Sequence, residues 1–139
     1  MEHYKLKQDV PVFCVTAQSF PDGVQGAFQS LEKMLPTMNS RVFYGISYMN
    51  ENSEIVYKAA VSESFTGEAA QYGCEPFLIK QGDYLAETIM NWCDDTTTIG
   101  TTFKKMLADP RMDMSFPCVE WYKSDKEMMC MVKEDQVKA

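Results

Sequence analysis

A chain of 139 residues and 15.9 kDa fits a single domain, 1–139, and leaves little room for a second. Its 45% apolar and 24% charged residues are globular proportions, and no uncharged apolar run approaches the roughly 20 residues of a membrane span. Twenty acidic against thirteen basic side chains give a net charge of −7, which repels phosphate backbones, so neither a membrane nor direct nucleic-acid contact is expected.

Residues 1–9 are polar and of mixed charge, without the apolar core of a secretory signal, so a mobile start and a cytoplasmic location are expected. Val10–Ser19 alternates as a strand partly buried on both faces. Asp22–Leu35 places Val24, Ala27, Phe28, Leu31 and Leu35 on one stripe of an amphipathic helix, with Asp22 as cap and Pro36 as stop. Arg41–Met49 and Glu54–Ser62, rich in Tyr, Val and Ile, flank the turn residues 50–53 and predict a hairpin. Glu63–Glu75 is small and polar and is expected to link two halves.

The same order then recurs. Pro76–Trp92 is strand-like but broken at Gly82-Asp83, and the polar run 94–98 precedes a second helix bearing Ile99, Thr102, Phe103, Met106 and Leu107. Asp109-Pro110 ends that helix, and Phe116–Lys123 with Glu127–Lys133 flanks Ser124-Asp125 as a second hairpin. An offset of 75 pairs Val24 with Ile99, Phe28 with Phe103 and Leu31 with Met106, while an offset of 74 pairs Tyr44 with Cys118. The expected architecture is therefore α+β: two strand-helix-strand-strand modules, about 10–62 and 76–134, in pseudo-twofold arrangement. Their antiparallel sheet would carry both helices on one face and a central groove. The acidic residues Glu134 and Asp135 are expected to form a solvated end.

Several chemistries lose their usual parts. The five cysteines form no C-x-x-C pair and fall mostly in apolar runs, which predicts reduced, mostly buried thiols. His3 is the single histidine, so the usual base of a serine or cysteine hydrolase is missing. The glycines form no phosphate-binding loop, and Asp94 and Asp95 serve a helix start more economically than a cation, so neither a cofactor nor a metal is expected.

What remains is a carboxylate among rings. Glu120 stands inside the strand sequence Phe116-Pro117-Cys118-Val119-Glu120-Trp121-Tyr122. Alternation alone leaves two placements open, facing a cavity or facing solvent on an edge strand. The chain also holds two Trp, seven Tyr and eight Phe, many in strands, together with eleven Met. Rings around a carboxylate suit a lipophilic cation or a flat heteroaromatic compound, although packing in the core is the commoner role of any single ring or Met.

Two further segments carry a family likeness. Phe77-Leu78-Ile79-Lys80-Gln81-Gly82-Asp83-Tyr84, and Val119-Glu120-Trp121-Tyr122 followed by Met129-Cys130-Met131-Val132, resemble the GyrI-like small-molecule-binding superfamily over nearly the whole chain. The resemblance implies a groove lined by aromatics with a glutamate near its base. That glutamate would be Glu120, followed by Tyr122, with Trp121, Tyr44, Tyr57, Tyr84 and Trp92 as further ligand-binding candidates. It also implies a ligand sensor, a transcription-regulator accessory or a drug-sequestering protein. Some branches instead hydrolyse strained cyclic toxins, for which Glu120 would act as general base, and others interact with a protein partner such as gyrase. The sequence departs from the transcription activators in having no helix-turn-helix segment, so regulation would run through a partner.

Overall fold

The computed structural model describes residues 1–37 and 41–135. Twelve elements follow in order, and they group into two compact units, 9–79 and 1–8 with 80–139. Among the described residues no helix is long and apolar enough to cross a membrane.

The unit 9–79 contains strand β1 (Val10–Thr16), helix α1 (Val24–Met34), strands β2 (Phe43–Met49) and β3 (Ile55–Ser62), the short helix α2 (Glu68–Gln71) and strand β4 (Glu75–Ile79). Its strands pair antiparallel in the order β2-β3-β1-β4. Because side chains alternate across a strand, Phe13 and Val15, Ala59 and Val61, and Phe43 share the face covered by α1. Ala27 and Leu31 of α1 are buried there, on the stripe read from the sequence. The helix begins at Gly23 without a side-chain cap, so Asp22 does not serve as expected.

The segment expected as a linker, Glu63–Glu75, is instead structured. α2 brings Glu68 to 1% exposure, where Arg41 donates two hydrogen bonds to its carboxylate, at 2.8 and 2.6 Å. The backbone amide of Ser64 donates a third, and Arg41 also donates to the Ser62 carbonyl. The guanidinium hydrogen bonds hold the Glu68 carboxyl below its ordinary range. Small polar composition concealed this pair because neither partner lies in a hydrophobic period.

The other unit contains strand β5 (Glu2–Leu6), strand β6 (Gly82–Met90), a single 3-10 turn (Trp92–Asp94), helix α3 (Thr97–Leu107), and strands β7 (Cys118–Tyr122) and β8 (Glu127–Lys133). For comparison between units the first of these, although N-terminal, is numbered with its own set. The antiparallel order is β7-β8-β6-β5. The expected mobile start is thus a strand, paired from Glu2 opposite Ala86 to Leu6 opposite Gly82. The His3 ring nitrogens face carboxylate oxygens of Asp83 and Glu134. A mixed-charge edge strand has no apolar alternation, and that is why periodicity missed it. Nor is the acidic end merely solvated, since Glu134 bridges to Met112 and the Asp135 amide donates to the Arg111 carbonyl. Gly82 opens β6 at φ +132°, where an added Cβ would lie 2.8 Å from Lys133 Nζ.

Thr102, Phe103 and Met106 of α3 are buried over Leu85, Ile89, Met128, Cys130 and Val132. The two units therefore repeat one internal plan: three strands in equivalent order, a helix over one face and an added outer strand. Their core positions match at the offset of 75 for the helices, Ala27 with Thr102 and Leu31 with Met106.

Candidate functional site

In β7 and its neighbours the strand register fixes which side chains share a face. Glu120 lies opposite Cys130, which lies opposite Glu87, so these three form one row across β7, β8 and β6. Cys130 belongs to the core under α3, as do Cys118 and Tyr122 at its margin, so the row faces the helix. Glu120 is 7% exposed, which excludes the solvent-facing placement left open by alternation.

The helix face is also where Tyr122 lies, two residues along β7. Its phenol donates a hydrogen bond to Glu120 Oε1 at 2.5 Å. The Trp92 ring meets the Tyr122 ring edge to face at 4.9 Å between centroids, and Trp92 Nε1 donates to the Ser124 carbonyl. That anchor fixes the indole over the end of the sheet. Glu120, Tyr122 and Trp92 are thus brought into one contiguous cluster by β7 and by the 3-10 turn after β6.

Charge in the row is distributed unequally. Lys105 of α3 donates to both Glu87 oxygens, at 2.9 and 3.0 Å, and these hydrogen bonds hold the Glu87 carboxyl below its ordinary range. Burial pushes the Cys118 thiol up to about 11, helped by the negative charge of Glu120, and raises Cys130 further for the same two reasons. Cys14 in the other unit is pushed up to about 12, chiefly by burial. These thiols are protonated at neutral pH and are not nucleophiles.

The remaining candidates divide by face. Trp121 alternates to the side of β7 away from α3, where its ring meets Tyr4 at 5.9 Å and the Lys123 ammonium sits 4.5 Å from its centroid. Tyr84 lies on that same side, opposite Lys133 in the register. Its ring has the Lys133 ammonium at 5.7 Å, and its hydroxyl donates to the Lys80 carbonyl. Both rings therefore already carry a cation of the protein's own. Tyr44 and Tyr57 belong to the unit 9–79. Tyr44 is buried on the side of β2 away from α1, opposite Ala60. Tyr57 faces α1, with Phe28 edge-on at 6.3 Å and Phe20 stacked at 5.8 Å.

One position in the repeat alignment needs correction. Phe43 and Cys118 both face their helices, so the offset of 75 holds through these strands and matches Gly45 with Glu120 and Ser47 with Tyr122. The expected offset of 74, pairing Tyr44 with Cys118, slips one residue and exchanges the faces. Gly45 lies in regular register opposite Ala59, without a bulge. Where one unit has the row Gly45, Ala59 and Val15, the other has Glu120, Cys130 and Glu87.

Asp95, not Asp94, serves the start of α3, accepting from the Thr97 amide at 3.1 Å. Among the described residues no group of three or more His, Cys, Asp or Glu side chains is placed to hold a metal ion.

Neither a protein-family model nor a curated protein matches this chain. Solved structures do. An integron cassette protein from the mobile metagenome of Vibrio cholerae is 12% identical with a TM-score of 0.73, over 96% of this chain and 95% of that one. The protein SAV2435, solved bound to tetraphenylphosphonium, is 10% identical with a TM-score of 0.61, over 99% and 96%. A hydrolase from Listeria innocua is 14% identical with a TM-score of 0.60, over 96% and 90%. At these identities the likeness establishes a shared α+β fold and nothing of the chemistry.

Proposed function

We propose that this chain is a GyrI-like small-molecule-binding domain that takes lipophilic organic cations through Glu120. The observation that carries the reading is a carboxylate 7% exposed on the helix face, beside Tyr122 and Trp92, at the position where the sister unit has Gly45. A fold needs no charge there, because the sister unit covers the same row with glycine, alanine and valine. Supplying negative potential and ring faces to a bulky cation gives the charge a use. The fold shared with a protein solved with a lipophilic phosphonium agrees with that ligand class. A sensor, an accessory to a transcription regulator and a sequestering protein all use such a site in the same way, and a cytoplasmic location suits each.

A hydrolytic reading has one observation in its favour, the hydrogen bond from the Tyr122 phenol to Glu120. It couples a proton donor to a carboxylate that serves as general base toward water in opening a strained ring. The two readings separate in one experiment. A panel of lipophilic cations and flat heteroaromatics is titrated against intrinsic tryptophan fluorescence, for the wild type and Glu120→Gln, and bound compounds are then analysed for chemical change. Binding predicts saturable quenching that Glu120→Gln weakens, with every compound recovered intact. Products that appear with the wild type and vanish with Glu120→Gln establish the hydrolase, and no quenching across the panel overturns both.

A further inference from the structure

A second aromatic platform lies in the unit 9–79. At a spacing of 72, which matches Phe13 with Leu85 in the two cores, Phe20 corresponds to Trp92. Each ring follows the strand that precedes the long helix of its unit, β1 or β6, and lies against a tyrosine, Phe20 on Tyr57 and Trp92 on Tyr122. Phe20 differs in remaining 45% exposed while stacked. Beside it opens a groove of about 620 Å³, within the usual range for small-molecule sites. The groove runs from Thr16–Phe20 to Asn50 and Ser53–Tyr57.

Its chemistry is that of a cation receptor. Phe20 offers the exposed ring, backed by the buried Tyr57 ring about 25° from parallel, and Ile55, 46% exposed, adds an apolar wall. Glu54 lines the same groove and takes a long hydrogen bond of 3.4 Å from Asn50. Lys58, the basic residue of β3, is committed to Glu75 at 2.6 Å and alternates to the other face from Tyr57. Among the described residues no ion pair neutralises Glu54. Exposed π surface next to a carboxylate is complementary to a planar ring that carries positive charge.

We infer that this groove is a second binding site, for planar aromatic cations, with Phe20 as its stacking surface and Glu54 as its charge partner. It does not depend on the reading of Glu120. The site is open and its charge is at the rim, so its affinity is modest and falls with added salt.

Proflavine, planar and cationic at neutral pH, is the probe. Its titration is followed in 1H–15N NMR spectra of the full chain, for the wild type, Phe20→Ala, Glu54→Gln, their double variant and Glu120→Gln. The expected result is saturable shifts of amides in 16–20 and 53–57. Glu54→Gln weakens them about threefold, Phe20→Ala about fivefold and the double variant about tenfold or more. Glu120→Gln leaves these shifts unchanged even if it abolishes binding elsewhere. Both substituted residues are exposed, and an unaltered spectrum of each free variant shows that the fold is kept. The inference is overturned if these amides do not shift, or if the double variant binds at this groove as the wild type does.

Discussion

Among the described residues each unit buries one glutamate, and the two are held by different kinds of partner. Glu68, 1% exposed, receives two hydrogen bonds from Arg41 and one from the Ser64 amide, and its charge is neutralised within the fold. Glu120, 7% exposed, is held by the Tyr122 phenol and shares its row with a second carboxylate, Glu87. A guanidinium fork brings a formal positive charge to the carboxylate it fixes, whereas a phenol contributes a hydrogen bond and no formal charge. Burial is therefore common to both carboxylates, and the partner that holds each is what distinguishes them.

The comparison can be broken most forcefully at Glu68. Glu68→Ala leaves the Arg41 guanidinium buried without its partner and is expected to cost about 3–5 kcal/mol in urea unfolding. Replacing both, Arg41→Met with Glu68→Leu, recovers most of that loss. A neutral Glu68→Ala would show the pair to be idle. The same pair sets an acid limb. Because the Glu68 pKa is lowered in the folded state, its contribution is present above the unfolded value, near 4.5, and is lost as pH falls through the folded value. Glu68→Gln therefore flattens the decline of stability below about pH 4.5.

Core symmetry is tested next. Phe103, 9% exposed, belongs to the core under α3, while its repeat partner Phe28 is half-buried at the margin under α1. Phe103→Ala is expected to cost about 3 kcal/mol and Phe28→Ala roughly half as much, read by chemical unfolding. Equal losses would mean that the two helices cover their sheets alike. Smallest is the stability effect of Glu120→Gln, under about 1 kcal/mol, because the amide oxygen still accepts from Tyr122.

How far the sequence was legible follows from what each residue type signals. Helices α1 and α3 and both hairpins are readable because their apolar residues recur at 3.6 or 2, whereas the one-turn α2 is too short for a period and the expected break at Gly82-Asp83 falls just before Gly82, which opens β6. The edge strand at Glu2–Leu6 is not readable, since mixed charge on an edge erases alternation. The Arg41–Glu68 pair was hidden because its partners stand 27 residues apart, Arg41 at the start of a predicted strand and Glu68 in an expected linker, and no spacing rule joins two such charges. Glu120 was singled out as a charge between bulky strand residues, but its face required register. The offset of 74 matches Cys118 with Tyr44 instead of Phe43 and conceals that Glu120 stands where the other unit has Gly45. Trp92 and Tyr122 come together, whereas Trp121 and Tyr84 lie on the other face under lysines, a distinction that aromatic counting could not draw.

We propose that Glu120 serves a ligand and not the fold. This is tested most directly by calorimetric titration of tetraphenylphosphonium into the wild type and Glu120→Gln, with urea unfolding of the same two samples. The account predicts at least about tenfold weaker binding in the variant at a nearly unchanged unfolding midpoint. Equal affinity in the two proteins, or a loss of stability as large as that of Glu68→Ala, would contradict it.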